Sequence, residues 1–228
     1  RPGTVGDRGG NFAVQNSDFL LVLGSRLNIR QISYNWQSFA RAASITMVDV
    51  DSAELQKPTL KIDHPIHADL ADFFRIMNDM AYSGPTNEHR EYLAWCRERC
   101  RKYPAVLPEY RSGADKVNPY VLMEELFKQL PEGQWVVSGD GTACVTSFQA
   151  ADLKKGQRLY TNSGCASMGY DLPGAIGASV AGGRAPVICL AGDGSIQMNL
   201  QELQTIQTHQ LPIKIFLLNN QGYHSIRQ

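Results

Sequence analysis

The sequence has no excess of either charge, no long hydrophobic run and no regular cysteine spacing. Lys plus Arg and Asp plus Glu both number 22, so the formal net charge is zero. A neutral chain lacks the electrostatic attraction on which nucleic-acid binding and membrane-surface binding depend, so we expect neither partner. No apolar run approaches the roughly 20 residues of a membrane-spanning helix. The sequence therefore favours an ordinary globular protein.

The five cysteines predict reduced thiols rather than disulfides or structural zinc. Cys96 and Cys100 are four residues apart and would share a helix face, but no second pair completes a four-ligand zinc site. No apolar segment follows Arg1 as it would in a signal peptide. We therefore expect a cytoplasmic protein. Because the chain begins without methionine and stops at Gln228 without a cap, we also expect both ends to belong to a longer protein.

Apolar runs and amphipathic segments alternate along most of the chain, which predicts an α/β fold with two parallel-sheet domains. We expect a partial Rossmann-like central domain over 1–80, a linker containing one helix over 81–115, and a second domain over 116–228. The predicted strands are 18–23, 44–51, 59–66, 134–138, 158–161, 187–190 and 213–218. The main predicted helices are 32–43, 68–80, 87–102, 118–130 and 172–181.

The most informative stretch is 186–195, where an apolar run stops abruptly at Gly192-Asp193-Gly194. A second apolar run, 213–218, stops at Asn219-Asn220, and the residues between favour a helix. A right-handed crossover would make the two strands parallel, so that their carboxyl ends share one edge of the sheet. Asp193 and Asn220 would then face each other across a crevice. Hard oxygen donors beside a glycine turn at a helix start suit Mg²⁺ and a phosphate group.

Other polar residues have plainer interpretations. Asn118 and Pro119 predict a capped helix start, and Asn199 and Glu202 have the spacing of a capping box. The segment 64–67, His-Pro-Ile-His, is interpreted as a loop.

Several segments resemble thiamine-diphosphate-dependent enzymes of the acetolactate-synthase-like family. Gly192-Asp193-Gly194-Ser195 followed by Asn219-Asn220 matches the signature of the thiamine-diphosphate-dependent enzymes. The stretch 163–178, SGCASMGYDLPGAIGA, is similar to the segment that precedes this signature in the acetolactate-synthase-like branch. Residues 197–203 resemble the same branch, and 17–26 resemble the family's central domain.

The resemblance implies a metal and cofactor site. Mg²⁺ would be bound by Asp193, the side-chain oxygen of Asn220 and the carbonyl of Gly222. Thiamine diphosphate would contact glycine-containing turns and the loop that carries Ala166 and Met168. The implied cofactor-binding residues are Gly141, Thr142, Ala166, Met168, Gly192, Asp193, Gly194, Ser195, Asn220, Gly222 and Tyr223.

Individual roles follow from the same resemblance. Backbone N–H groups of Gly194 and Ser195 would bind the diphosphate, and Met168 would support the thiazolium ring and bend the cofactor. The Ala166 carbonyl would accept a hydrogen bond from the aminopyrimidine. His224 is the candidate catalytic residue, as a proton carrier beside the cofactor loop, with a surface histidine as the equal alternative.

The implied activity is decarboxylation of a 2-oxo acid followed by carboligation. A lyase that releases an aldehyde, or a catalytically silent nucleotide-binding or assembly subunit, are the alternatives. The residues after Asn220 and those of 139–144 differ from acetolactate synthases, so the product is left open. The family's activating glutamate lies in an N-terminal pyrimidine-binding domain that this chain does not include. A homodimer or homotetramer is implied. The resemblance also implies FAD or a nucleotide near Arg26, with a surface arginine at a strand end as the alternative.

Overall fold

A computed structural model describes residues 1–112 and 116–227 of the chain. The chain divides into two compact units, Arg1–Pro104 and Ala105–Gln228. Each unit contains a parallel β-sheet with helices between its strands, which confirms the predicted α/β class with two parallel sheets. Within the described residues, no helix has the length and apolar character needed to cross a membrane.

The first unit is built on a three-stranded sheet in the order β1-β2-β3. Its strands are β1 (Phe19–Leu23), β2 (Ser44–Asp49) and β3 (His64–His67). Its helices are α1 (Arg8–Gln15), α2 (Ile29–Ile32), α3 (Ser52–Leu55), α4 (Leu70–Asp79) and α5 (Asn87–Lys102). Met47 and Ile45 of the central strand are buried in a cluster with Val22 and Phe39, so β2 anchors the core of this unit.

The helix predicted over 32–43 is wrong. The short helix α2 ends at Ile32, because Ser33 has a φ of 65°, and a 3₁₀ turn at Trp36–Ser38 follows. Ala40 also has a positive φ, of 42°. Trp36 and Phe39 still pack on the core, so their apolar spacing reflected burial in an irregular segment rather than a helix.

The third strand is shorter and later than the predicted 59–66, and the loop predicted at His64 and His67 is wrong. Both histidines lie in β3, which pairs with β2 from Thr46 to Asp49. The Asp63 carboxylate accepts a hydrogen bond from the Ile45 N–H at 2.9 Å just before the strand begins. Pairing to β2, which the local sequence does not reveal, therefore decides where this strand lies.

Helix α5, which we predicted inside a linker, packs against α1 in the first unit. The Tyr92 hydroxyl donates to the Ala13 carbonyl, and burial, together with Cys96, raises the pKa of Tyr92 to about 12. A Cβ on Gly9 would lie 2.7 Å from Cys100 Sγ, so the two helices approach closely at this glycine.

The second unit is built on a four-stranded parallel sheet in the order β5-β4-β6-β7. Its strands are β4 (Trp135–Ser138), β5 (Arg158–Tyr160), β6 (Val187–Gly192) and β7 (Ile213–Leu218). Its helices are α6 (Pro119–Gln129), α7 (Thr142–Ala150), α8 (Asp171–Ala181), α9 (Asp193–Ile196), α10 (Glu202–Thr208) and α11 (His224–Arg227).

The two faces of this sheet carry separate apolar clusters because successive side chains of a strand point to opposite faces. Val136, Ile188 and Leu190 pack with residues of α6 and α7. The alternate residues Val137 and Cys189 pack with residues of α8 instead. Both faces of the sheet are therefore covered. Parallel sheets bind ligands at the edge where the carboxyl ends of their strands lie.

The start of α6 follows the sequence prediction. The Asn118 side chain accepts a hydrogen bond from the Tyr120 N–H at 2.9 Å, and Pro119 occupies the first turn. Local sequence was sufficient here because the cap and the helix it starts are adjacent in the chain.

Candidate cofactor and metal site

Three neighbouring strands bring polar groups to one edge of the second sheet. β6 ends at Gly192 and α9 begins at the next residue, Asp193. Leu218, the last residue of β7, pairs with Gly192, so the Asn219-Asn220 turn leaves the sheet beside Asp193. On the other side of β6, β4 ends at Ser138 and leads to α7, which begins at Thr142. The parallel sheet, in which β4 and β7 flank β6, therefore brings three turns together.

The Asp193 side chain is hydrogen-bonded to the turn that follows β7. The Gly222 N–H donates to Asp193 Oδ2 at 2.7 Å. Gly222 has a φ of 110°, a conformation that glycine adopts without the steric cost that other residues pay. This glycine therefore allows the backbone to turn back towards the carboxylate.

The Asn220 amide connects the three turns. In one orientation its nitrogen donates to the Gly222 carbonyl at 2.6 Å and to Asp193 Oδ1 at 3.2 Å, while its oxygen accepts from Thr142 Oγ1 at 3.2 Å. In the opposite orientation its nitrogen donates to Thr142 Oγ1 at 3.2 Å, and its oxygen faces the other two oxygens. The amide therefore contacts Thr142, Asp193 and Gly222 in either orientation.

These two orientations test whether the site suits a cation. The second orientation brings together a carboxylate, an amide and a backbone carbonyl oxygen without a proton between them. Hard divalent cations such as Mg²⁺ bind oxygens of these three kinds. The residues present therefore fit Mg²⁺, and without it the first orientation satisfies the same groups by hydrogen bonds. No group of three or more His, Cys, Asp or Glu with metal-binding geometry occurs in the described residues, so this mixed oxygen set is the candidate.

The glycines of the site differ in what surrounds them. A Cβ on Gly194 would lie 2.7 Å from the ring of Tyr223, so Tyr223 covers this glycine closely. A Cβ on Gly192 would have only Ser195 Cβ within 4 Å, at 4.0 Å. The space beside Gly192 is therefore open, and α9 starts next to it. The first N–H groups of a helix have no acceptor within the helix, which suits a diphosphate.

Gly141 and Thr142 form a second helix start at the same edge. Gly141 is the N-cap of α7, has a φ of 74° and provides no side-chain cap. The Thr142 hydroxyl contacts the Asn220 amide, as described above. Thr142 is therefore linked to the candidate metal ligands as well as lying at a helix start.

The loop that carries Ala166 and Met168 is attached to α9. Ala166 has a φ of 55°, and its N–H donates to the Asn162 carbonyl at 2.9 Å. Gly169 follows Met168, and its N–H donates to Ser195 Oγ at 2.9 Å. Met168 itself is half-buried. The structure thus joins the Met168 loop to the Gly192–Ser195 turn through a side chain of that turn.

His224 begins the short helix α11 and is exposed. Its backbone N–H donates to the Gly222 carbonyl oxygen at 3.0 Å, and this is the oxygen predicted to bind the metal. The histidine is therefore next to the candidate site in space as well as in sequence, and its role in proton transfer stays a prediction.

Two residues of this edge were not predicted from the sequence. Asp171, the first residue of α8, is completely buried and accepts a hydrogen bond from Ser195 Oγ at 2.6 Å. Asn199 donates to the Gly169 carbonyl at 2.8 Å. The capping box predicted for Asn199 and Glu202 is wrong, because the N-cap of α10 is Gln201. A polar residue opening the apolar segment 171–181 was the only local signal for Asp171.

Two cysteine thiols near this edge are buried, those of Cys144 and Cys189. Burial, followed by the charge of Asp171, raises the pKa of Cys189 to about 12. Cys144 is buried and accepts a weak hydrogen bond from Thr161 Oγ1 at 3.8 Å. The Cys189 thiol therefore stays protonated, which disfavours a nucleophilic role.

The first unit has a cavity of about 510 Å³ at the carboxyl edge of its own sheet. Arg26, which lines it, forms an ion pair with Glu54 at 2.9 Å, and Glu54 also binds Lys57 at 2.6 Å. Asp49 and Asp51 line the same cavity. These carboxylates suit the hydroxyl groups of a ribose, whereas Arg26 is already neutralised and suits the diphosphate of FAD poorly. FAD therefore stays a prediction.

Comparison with known families identifies the class to which this edge belongs. Residues 139–228 match the family described as thiamine pyrophosphate enzyme, C-terminal TPP binding domain. Residues 1–77 match thiamine pyrophosphate enzyme, central domain. The chain therefore belongs to the thiamine pyrophosphate enzymes, and it contains the domain that binds thiamine diphosphate.

Among curated proteins, the chain is similar to acetolactate synthases. It is 32% identical to the acetolactate synthase isozyme 1 large subunit of Escherichia coli (strain K12), over 99% of this chain and 39% of that protein. It is 33% identical to the acetolactate synthase large subunit of Cyanidium caldarium, over 96% of this chain and 37% of that protein. The chain thus spans about two fifths of the length of these relatives.

Proposed function

We propose that the protein is a thiamine-diphosphate- and Mg²⁺-dependent enzyme that decarboxylates a 2-oxo acid and transfers the remaining fragment to an acceptor carbonyl. The observation that carries this proposal is the convergence of Asp193, Asn220 and the Gly222 carbonyl beside two helix starts. Membership of the thiamine pyrophosphate enzymes and similarity to acetolactate synthases support it.

The chain's own residues would bind the inorganic end of the cofactor. Asp193, Asn220 and Gly222 would bind Mg²⁺, with the Asn220 NH₂ group donating to Thr142 Oγ1 on the side of the amide that faces away from the metal. The N–H groups at the starts of α7 and α9 would bind the diphosphate oxygens. These contacts place the negative charge of the diphosphate where both helix dipoles favour it.

The organic end of the cofactor would lie on the Met168 loop. We propose that Met168 supports the bent cofactor and that the Ala166 carbonyl accepts a hydrogen bond from the aminopyrimidine. Bound thiamine diphosphate supplies a nucleophilic ring carbon and an electron sink for decarboxylation. The chain's part in the reaction would be to orient that ring and exclude water from it, and we propose that His224 moves a proton beside it.

The proposal extends to partners and location. Because the chain spans about two fifths of its relatives' length, we infer that a pyrimidine-binding domain and a second subunit complete the active site. A homodimer or homotetramer is the expected assembly. We propose cytoplasmic action, although relatives named as chloroplastic also occur.

Metal dependence is the first test. Thiamine diphosphate would be titrated into the full-length protein by calorimetry, with Mg²⁺ present and with EDTA. We expect binding with Mg²⁺ and its loss in EDTA, because the diphosphate and the Asp193 carboxylate are both negative and need a cation between them. Binding that EDTA leaves unchanged would contradict the metal assignment, and absence of binding would favour the silent nucleotide-binding or assembly subunit.

Product analysis separates the two catalytic alternatives. The full-length holoenzyme would be incubated with pyruvate and with larger 2-oxo acids, alone and with acceptor aldehydes or 2-oxo acids. We expect coupled hydroxy-ketone products. Release of free aldehyde alone across all acceptors would contradict carboligation and favour the lyase.

A further inference from the structure

Gly169, which follows Met168, is hydrogen-bonded at both its backbone N–H and its carbonyl by residues from the other side of the site. The Gly169 N–H donates to Ser195 Oγ at 2.9 Å, and the Gly169 carbonyl accepts from Asn199 Nδ2 at 2.8 Å. Gly169 has a φ of 81°, and a Cβ there would lie 2.6 Å from Met198 Cβ. The loop therefore has little freedom to shift relative to the segment 195–199.

The serine that holds Gly169 is in turn held by Asp171. Ser195 Oγ donates its single proton to Asp171 Oδ2 at 2.6 Å, so its lone pairs face the Gly169 N–H. Both side chains are buried, Asp171 completely and Ser195 at 4% exposure. The second oxygen of Asp171 accepts from the Leu172 N–H at 3.1 Å, which fixes the carboxylate on its own helix.

The same carboxylate fills the space behind the turn after β4. A Cβ on Gly139 would lie 2.4 Å from Asp171 Oδ2, so glycine is required there while Asp171 is present. Asp171 thus contacts the turn after β4, the turn after β6 and, through Ser195, the Met168 loop. These are three of the four segments that carry the candidate cofactor contacts, and the fourth is the turn after β7.

We propose that Asp171 is a positioning residue. It acts through Ser195 to fix the position of Met168 relative to the turn Gly192–Ser195, which would bind the diphosphate. This inference rests on the proposed function and adds a residue that does not itself contact cofactor or substrate. The Ser195 hydroxyl is committed to Asp171 and Gly169, so Ser195 meets the diphosphate with its backbone N–H alone. The turn that would bind the diphosphate and the loop that would bend the cofactor are therefore joined by hydrogen bonds.

Asparagine at position 171 is a sharp probe because it keeps the shape and loses one bond. With its oxygen towards Ser195, its NH₂ group would oppose the Leu172 N–H. With the amide reversed, the NH₂ group would take the place of the acceptor for the Ser195 hydroxyl proton. Asp171→Asn and Ser195→Ala are therefore the test variants. Ser179→Ala is the matched control, because Ser179 lies in the same helix, is completely buried and donates to the Ala185 carbonyl at 2.9 Å.

The first measurement uses the cofactor-free full-length protein. Amide hydrogen exchange at Gly169 would be compared among wild type and the three variants. We expect Asp171→Asn and Ser195→Ala to accelerate exchange at Gly169 by about tenfold, because its acceptor is lost or released. Ser179→Ala should leave this amide unchanged even if it lowers the melting temperature. Equal protection of Gly169 in all four proteins would overturn the inference.

The second measurement uses the holoenzyme saturated with Mg²⁺ and thiamine diphosphate. Deuterium exchange at the reactive ring carbon reports the bent cofactor without needing substrate. We expect both test variants to slow it by about 100-fold, since a displacement near 1 Å can have that effect, and the control to match wild type. Unchanged exchange in both test variants, with wild type binding normally, would overturn this inference alone. Failure of wild type to bind the cofactor would overturn the proposed function.

Discussion

The two units carry the same arrangement at their sheet edges, but the residues there make opposite kinds of site. In the second unit, Asp193 follows β6, and its carboxylate contacts the Gly222 N–H and the Asn220 amide of the turn after β7. In the first unit, β2 ends at Asp49 and runs into Asp51, and the nearby cations Arg26 and Lys57 are paired with Glu54. One edge suits a cation with a diphosphate, whereas the other has its positive charges neutralised already.

The difference shows that parallel topology supplies the place for a ligand while the residues decide its chemistry. Asp51 accepts from the Ala53 N–H at 2.9 Å and caps α3, so its charge satisfies a helix start. Asp193 is the first residue of α9, and its Oδ2 contacts the Gly222 N–H of another turn. A carboxylate that caps its own helix leaves no such open oxygen cluster.

The largest expected effect comes from removing each of these carboxylates. Asp193→Ala should weaken Mg²⁺-dependent binding of thiamine diphosphate by more than about 100-fold, because a charged metal ligand is lost. Asp51→Ala should leave that affinity unchanged and lower the free energy of unfolding by about 1 kcal/mol, as loss of a helix cap does. Calorimetric titration and urea unfolding measure the two quantities. Equal losses of affinity in the two variants would remove the distinction between the edges.

A smaller effect tests how tightly the second edge is packed. Gly139→Ala should lower the free energy of unfolding by about 1–3 kcal/mol, because the new Cβ would overlap Asp171 Oδ2. Gly177→Ala is the matched control, since a Cβ there meets nothing within 4 Å and alanine favours the interior of α8. It should raise stability by about 0.5–1 kcal/mol. Urea unfolding of both variants decides, and a neutral Gly139→Ala would contradict close packing at Asp171.

A third effect concerns pH. Because the pKa of Cys189 is raised to about 12, its thiol stays protonated in the folded protein after it would ionise in the unfolded chain. The stabilising contribution is complete below the unfolded pKa of the thiol and is lost as the pH rises towards 12. The free energy of unfolding should fall by up to about 1.4 kcal/mol per pH unit in that window.

Cys189→Ala should remove this part of the slope, and Cys165→Ala, at an exposed thiol, should keep it. Unfolding at a series of pH values from 8 to 11 would be measured for wild type and both variants. A Cys189→Ala protein with the wild-type slope would show that the thiol does not carry the effect.

The sequence predicted well those features whose causes are close together in the chain. Helix α5 has the predicted bounds, because Thr86 caps it and Tyr103 follows its end. The glycine turn after β6 and the Asn-Asn pair after β7 could be found because each interrupts an apolar run. The helix predicted over 32–43 failed, since apolar spacing also occurs in an irregular segment that covers a core.

The sequence by itself determined the two parallel sheets and the residues that stand at the carboxyl ends of β6 and β7. Only the tertiary structure decided that Ser195 donates a hydrogen bond to Asp171, that Asn199 binds Gly169 instead of capping a helix, and that Asn220 reaches Thr142. These contacts join segments up to 78 residues apart. A buried polar group takes whatever partner the fold brings to it, because leaving it unbonded costs free energy. The local sequence pattern does not reveal that partner.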